Sequence, residues 1–426
     1  MKDKDHTETI NVAVIGGGAA GMTAAIAASR AGAHVTLFEG NDRVGKKLLS
    51  TGNGKCNLGT KYLSVLHYNS SDLKKVEACL KRFGAEDTVH FFEGLGLMVK
   101  DKDGYLYPVS EQASVVLDVL RIELNRQGVE LAVGAKIHRI NRNRDGGFGL
   151  SVKDDEELWE QRRFDRIILA CGSKAAPKTG SDGSGYEIAR ALGHHVTEPV
   201  PALVQLRCRD NFCKALAGVR TGACISVCPD KDAGIALTKE YGELQLTDYG
   251  ISGIPVFQIS GNINRALKHR KEIAVSVDFL PLMTQEEYTK FCNVRMERRD
   301  GVTVEEFFTG MLNKKLMMVL IKQAGLAAAE DAATAPEQKL EEVFSLCRNL
   351  VFHVTGSNSY DNAQVCAGGV DLMEVTDELE SVRVPGVYFA GELLDVDGRC
   401  GGYNLQWAWT SGHIAGEAAA RRVRTT

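Results

Sequence analysis

Apolar residues follow two rhythms along this chain. Val12, Ala13, Val14 and Ile15 form an unbroken run, the pattern of a parallel strand covered on both faces. An alanine-rich, proline-free stretch over residues 19–31 predicts a helix, and "HVTLFE" after it predicts a second strand. Residues 73–97 read as helical segments with a break at Gly84. In "SVVLDVLRIELNRQ" the apolar positions recur every three and four residues, which predicts an amphipathic helix over residues 114–127. "VELAVGAKIHRINR" and "GGFGLSVKD" alternate as antiparallel strands do, and "FDRIILACGS" is a further buried strand ending in a tight turn.

After about residue 195 the texture changes. Short alternating segments follow one another: "LVQLRCR", "GACISVCP", "AGIALTK", "GELQLTD" and "EIAVSVDFLP". From about residue 284 the pattern turns helical, through "QEEYTKFCNVRMERR", "VEEFFTGMLNKKLMMVLIKQAG" and "APEQKLEEVFSLCRNL". Residues 364–416 return to strand, glycine turn and helix. The expected organisation is therefore an α/β, Rossmann-like cofactor domain over residues 1–195 and 355–426. A β-rich substrate domain over 196–283 and 349–354 interrupts it, with a helical insertion at 284–348.

The opening strand–turn–helix carries Gly16-x-Gly18-x-x-Gly21. Gly16 allows the tight turn, Gly18 lets backbone approach a pyrophosphate, and Gly21 lets helix and strand pack closely. The helix start, with Ala19 and Ala20, offers free N–H groups and a positive dipole end to phosphate. Glu39 ends the next strand, where an acid accepts the hydroxyls of an adenosine ribose. The C-terminal stretch adds a second set of signals. "Val387-Tyr388-Phe389-Ala390-Gly391" is a strand into a glycine turn, followed by Glu392 and Asp395. Gly401, Gly402, Tyr403 and Asn404 then open a long small-residue helix. Its N-terminus suits the pyrimidine edge of a flavin, where negative charge builds on reduction. Asp395 is placed to hold a ribityl hydroxyl or the flavin-side phosphate. An extended cofactor that needs both chain ends is FAD rather than NAD.

Composition adds exclusions. With 44% hydrophobic and 25% charged residues and a net charge of −4, the chain is ordinary for a globular protein, and no basic face points to nucleic acid. The polar start "MKDKDHTETI" and the absence of an 18-residue apolar run argue against secretion and membrane insertion and for a cytoplasmic protein. The 11 cysteines then read as thiols. Cys208, Cys213, Cys224 and Cys228 are spaced C-x4-C and C-x3-C, unlike the usual zinc knuckle, so no metal is expected.

Several stretches together resemble the BaiN/YhiN-type family of FAD-dependent oxidoreductases over nearly the whole chain. They are "GGGAAGMTAA", "GKKLLSTGNGKCNL", "GYLYPVSEQASVVLDVL", "ILACGSKAAPKTGSDGSGYEIARALGH", "PALVQL", "GELQLTDYGISGIPVFQIS" and "FAGELLDVDGRCGGYNLQWAWTSG". The resemblance implies a two-dinucleotide-binding-type flavoprotein fold with an inserted β-barrel-like domain and a helical subdomain. It also implies that the "GNGKCN" loop, with Gly52, Asn53, Gly54, Cys56 and Asn57, lies along flavin and pyrophosphate. Lys46 or Lys47 is in reach of phosphate. Ile137 and the Ala170-Cys171-Gly172 turn complete the expected cofactor set.

The implied activity is hydride transfer from NAD(P)H, as a transient co-substrate, through flavin N5 to a conjugated C=C bond. The acceptor would be a hydrophobic small molecule such as a 3-oxo-4,6-diene bile acid in an apolar cleft. Oxidation of small amines, or a non-catalytic flavin-binding regulatory role, are the alternatives, and the oligomeric state stays open. Tyr403, His353 and Cys56 are the catalytic candidates. Cys56 has no second cysteine nearby, so packing beside the flavin is favoured over a redox role. His353 reads more readily as a satisfied structural histidine.

Overall fold

The computed structural model describes residues 9–144, 146–152, 162–227 and 238–421. The chain divides into two compact units, Met1–Val200 with Gln364–Thr426, and Pro201–Ala363. The first unit, drawn from both chain ends, holds a five-stranded parallel sheet. Its strand order is Val387–Phe389, Arg166–Leu169, Asn11–Ile15, His34–Glu39, Glu130–Val133. Val12, Val14, Leu37 and Ile168 are fully or almost fully shielded from solvent, as strands covered on both faces require.

Glu130–Val133 departs from the sequence expectation. It pairs in parallel with His34–Glu39, from Thr36 opposite Glu130 to Glu39 opposite Val133. Only Ile137–Arg142 and Phe148–Val152 form the antiparallel ribbon. The reason is physical: an edge strand alternates between buried and exposed positions whichever way it pairs, so alternation alone does not reveal its direction.

Small residues join the chain ends. The helix Ala19–Arg30 packs along the C-terminal helix Tyr403–Ala420. A Cβ on Gly412 would lie 2.4 Å from the Ala20 carbonyl oxygen, and one on Gly416 would lie 2.4 Å from that of Ala24. Any larger side chain would force the helices apart. Trp407 and Trp409 are buried on the same C-terminal helix, and both indole N–H groups are satisfied, as burial demands.

The second unit is built on a closed six-stranded barrel. Around it run Leu206–Cys208, Gly250–Gly253, Thr238–Thr247, Arg220–Val227, Ile273–Asp278 and Leu350–Ser357. Inward residues such as Ala223, Ile225, Leu244, Ile251, Val275 and Phe352 fill one core. Residues 233–237, in the expected strand "AGIALTK", lie outside the described residues.

A helix at Ile254–Ala266 was not anticipated in this β-rich stretch. Its glycine, asparagine and β-branched residues are weak helix formers. Burial of Val256, Ile259, Ile263 and Ala266 along one face overrides that propensity. The helical stretch beyond it comprises Gln285–Met296, Val304–Phe308, Lys314–Gln323 and Glu337–Arg348. Thr284 and Thr303 each close a capping box with a glutamate three residues on, and Asn313 caps the third helix, dividing the stretch "VEEFFTGMLNKKLMMVLIKQAG" into two helices.

Candidate functional site: two glycine turns on one floor

The turn between Asn11–Ile15 and Ala19–Arg30 is shaped by what its glycines exclude. A Cβ on Gly21 would lie 1.8 Å from the Gly16 carbonyl oxygen, so only glycine lets the helix start this close to the strand. Gly18 caps the helix, and a Cβ added there would meet nothing within 4 Å. Its flank is open, while those of its neighbours are filled. This is the space a phosphate group needs against bare backbone.

Glu39 braces the turn. Its Oε2 accepts a hydrogen bond from the Gly17 amide at 2.9 Å. Its Oε1 accepts from the Asn41 backbone N–H at 2.8 Å and from Asn41 Nδ2 at 2.7 Å. A carboxylate has about four acceptor positions, so three bonds leave capacity for one more donor such as a ribose hydroxyl. Lys46 is drawn to Asp42 at 2.8 Å and to Asn41 Oδ1 at 3.2 Å. Lys47 reaches the other way, to Glu392 at 2.6 Å.

The C-terminal glycine turn sits against the first one. A Cβ on Gly391 would lie 2.8 Å from the Ala20 Cβ. The long C-terminal helix holds this turn: Ser411 Oγ accepts from the Gly391 amide at 2.8 Å, and Trp407 Nε1 donates to the Gly391 carbonyl at 3.2 Å. The same helix holds the end of the "GNGKCN" loop, because Trp409 Nε1 donates to the Leu58 carbonyl at 2.9 Å. Two cofactor-candidate segments are thus fixed by side chains of one helix. Sequence reading named the "QWAWTSG" motif but not these roles, because N–H groups are assigned only once partners are known.

The helix begins where expected. Gly402 caps it in a left-handed conformation, and a Cβ there would press to 2.8 Å on Gly59. Asn404 pairs with the Gly398 backbone through both amide atoms, each at 2.8 Å. Asn57 presents its side-chain amide to the carbonyls of Gly59, at 2.8 Å, and Leu106, at 3.1 Å. Asp395 is buried, with its backbone amide donating to Val370 at 2.8 Å. Ile137 is buried at the start of the antiparallel ribbon, near neither glycine turn in sequence. In the Ala170-Cys171-Gly172 turn, the Cys171 thiol donates to the Ile15 carbonyl at 3.4 Å.

The three catalytic candidates fare differently. Cys56 is wholly buried, and burial pushes its thiol up to about 12, so it is protonated at neutral pH and lacks the thiolate that redox chemistry needs. His353 lies in the barrel unit, its backbone N–H and Nδ1 both on the Asp210 carboxylate at 2.7 and 2.9 Å, a braced histidine. Tyr403 stands at the helix start with its hydroxyl donating to the Tyr62 carbonyl at 3.2 Å, and burial raises its pKa. Three residues near it went unmarked by sequence reading: His67, whose ring stands edge-on to Tyr403 at 5.0 Å, and the exposed Tyr62 and Tyr105. Lone aromatic and histidine positions carry no spacing signal.

Cys228 lies outside the described residues, so the four-cysteine group is not seen whole. Among the described residues, no three or more His, Cys, Asp or Glu side chains are grouped to hold a metal ion, and no helix is long and apolar enough to cross a membrane.

Residues 10–418 match the family model described as the HI0933-like protein Rossmann domain. The chain belongs to this HI0933-like family. The 3-dehydro-bile acid delta(4,6)-reductase of Clostridium scindens is 43% identical to this chain over 417 residues, covering 96% of this chain and 99% of that protein. The ribosomal RNA dihydrouridine synthase of Haemophilus influenzae is 28% identical over 414 residues, covering 96% of this chain and 98% of that protein. A solved 3-ketosteroid delta1-dehydrogenase from Sterolibacterium denitrificans covers 97% of this chain and 100% of its own at 13% identity, with a TM-score of 0.47. The motif-based family resemblance therefore holds over nearly the whole length.

Proposed function

We propose that this protein is an FAD-dependent reductase that uses NAD(P)H to saturate a C=C bond conjugated with a carbonyl, its acceptor a 3-oxo-4,6-diene steroid acid. The observation that carries the reading is the abutment of the two glycine turns, Gly391 against Ala20, on a floor held by one helix. A floor made from both chain ends suits a long dinucleotide. The residues present fit FAD: Gly18 leaves an open flank, Glu39 keeps acceptor capacity, and the N-terminal N–H groups of the Tyr403–Ala420 helix would be available to the flavin ring.

When bound, FAD supplies two-electron transfer between a nicotinamide and an organic acceptor. This chain's residues supply the rest. The helix start at Gly402 favours negative charge on a ring placed there. Trp407, Trp409 and Ser411 hold the surrounding loops rigid, so that little reorganisation is needed at the moment of reaction.

The acceptor class rests on the relatives. The names delta(4,6)-reductase and dihydrouridine synthase both denote saturation of a carbon–carbon double bond. The 43% identity over 96% of the chain favours the steroid, and a net charge of −4 offers no general attraction for a polyanion. The test is anaerobic. NAD(P)H should bleach the bound flavin, and a 3-oxo-4,6-dienoic bile acid should restore its colour. Failure of the dienone to do so, with bleaching of the oxidised protein by a small amine, would replace this reading with amine oxidation.

A further inference from the structure

Two aromatic rings at this site are left outside the core. Tyr62 is 59% exposed and Tyr105 is 36% exposed, yet they pack edge to face with ring centroids 6.2 Å apart. Neither position is loose. Tyr105 follows a tight turn through Asp103 and Gly104, both left-handed, and pairs with Thr60 across the sheet. A Cβ on Gly104 would lie 2.2 Å from the Tyr62 ring, so glycine is what lets that ring come so close to the turn. The Tyr62 carbonyl is in turn held by the Tyr403 hydroxyl at 3.2 Å.

The pair borders the helix start assigned to the flavin ring. A Cβ on Gly401 would lie 2.7 Å from Tyr105 Cε1, so the Tyr105 ring rests directly on the Gly401 backbone. Behind it, Tyr403 is packed edge-on against His67 and Tyr68, at 5.0 and 5.7 Å. Rigid, solvent-facing aromatic rings beside the reacting end of a site offer apolar area at low entropic cost, and they suit a flat conjugated molecule.

We propose that Tyr62 and Tyr105, with their rings nearly perpendicular, form an angled aromatic platform against which the conjugated rings of the acceptor pack, and so determine which acceptors are reduced. The inference depends on the reductase reading above. The dienone end of a 3-oxo-4,6-diene is the flattest part of a steroid, and it is the part that must reach the helix start.

The test uses the flavin-loaded protein with Tyr62→Leu, Tyr105→Leu, the milder Tyr62→Phe and Tyr105→Phe, and Tyr62→Ser as a polar variant. Equilibrium dialysis of the dienoic bile acid measures binding without turnover, and steady-state kinetics separate KM from kcat. Each Leu variant is expected to weaken dienone binding and raise its KM roughly tenfold, with kcat and the NAD(P)H KM within about twofold. The Phe variants keep the ring and stay near wild type. Wild-type protein that neither binds nor reduces the dienone overturns the functional reading, and the platform with it. Wild-type turnover with unchanged dienone affinity in both Leu variants and in Tyr62→Ser overturns the platform alone. A rise confined to the NAD(P)H KM also overturns it, because the rings would then serve the nicotinamide.

Discussion

The Lys47 ammonium lies 2.6 Å from a carboxylate oxygen of Glu392, joining residues 345 apart in the chain. Ser173 Oγ donates to the same oxygen at 3.0 Å. The pair therefore staples the loops that follow three strands of the parallel sheet. Both side chains are mostly shielded, at 24% and 19% exposure, so the interaction is screened less than a surface pair. Lys47→Met and Glu392→Gln are each expected to destabilise by about 1 kcal/mol, with the double variant less affected than their sum. Urea midpoints for the three variants check this. Strict additivity would show that the two residues do not couple.

Gly18 and Gly21 separate folding from cofactor binding. Gly21→Ala drives a Cβ to 1.8 Å from the Gly16 carbonyl and should destabilise the turn by about 1–3 kcal/mol or more. Gly18→Ala meets nothing within 4 Å and should leave the melting temperature near wild type. Gly18→Val should also fold but purify colourless, because its side chain would take the space proposed for the pyrophosphate. A folded Gly18→Val protein with a full complement of flavin would overturn the assignment of that turn.

Glu39 holds Gly17 and Asn41 while keeping room for another donor. Glu39→Ala is expected to cost about 1.5–3 kcal/mol of FAD affinity, roughly ten- to a hundredfold. Turnover should return at saturating FAD. Titration of the apoprotein with FAD, followed by assay at saturation, distinguishes a binding role from a catalytic one.

The buried thiols set an alkaline limit. Burial raises Cys56, Cys79 and Cys347, and the partly buried Cys171 and Cys400, from 9.0 to about 12. Above pH 9 the unfolded chain loses these protons while the folded chain keeps them. Their stabilising contribution is thus complete below pH 9 and is lost as pH rises toward about 12. Chemical denaturation across that window should show falling stability, with a shallower slope in Cys56→Ala. Near neutral pH, Cys56 should resist alkylation in the native protein and react after unfolding, and Cys56→Ala should keep its flavin.

Much of this protein was determined locally. The apolar run at residues 12–15, the glycine spacing 16, 18 and 21 and the acid at 39 act through neighbours close in the chain, so their strand, turn and helix were legible from sequence. The C-terminal glycine turn and helix start were legible for the same reason, and the barrel strands Leu206–Cys208, Arg220–Val227, Thr238–Thr247 and Ile273–Asp278 showed through their alternation, whereas Gly250–Gly253 and Leu350–Ser357 did not. Tertiary structure decided what depends on distant partners. Glu130–Val133 became a parallel edge strand because His34–Glu39 was available beside it. Lys47 turned to Glu392 rather than standing free for phosphate, because two loops meet there. Ile254–Ala266 coiled because one face could be buried, against its residue propensities. Trp407, Trp409, Tyr62 and Tyr105 took their roles from the carbonyls and glycines opposite them. Spacing along a chain encodes periodicity. Which hydrogen bond or ring finds its partner is settled only by packing, where segments hundreds of residues apart compete for the same space.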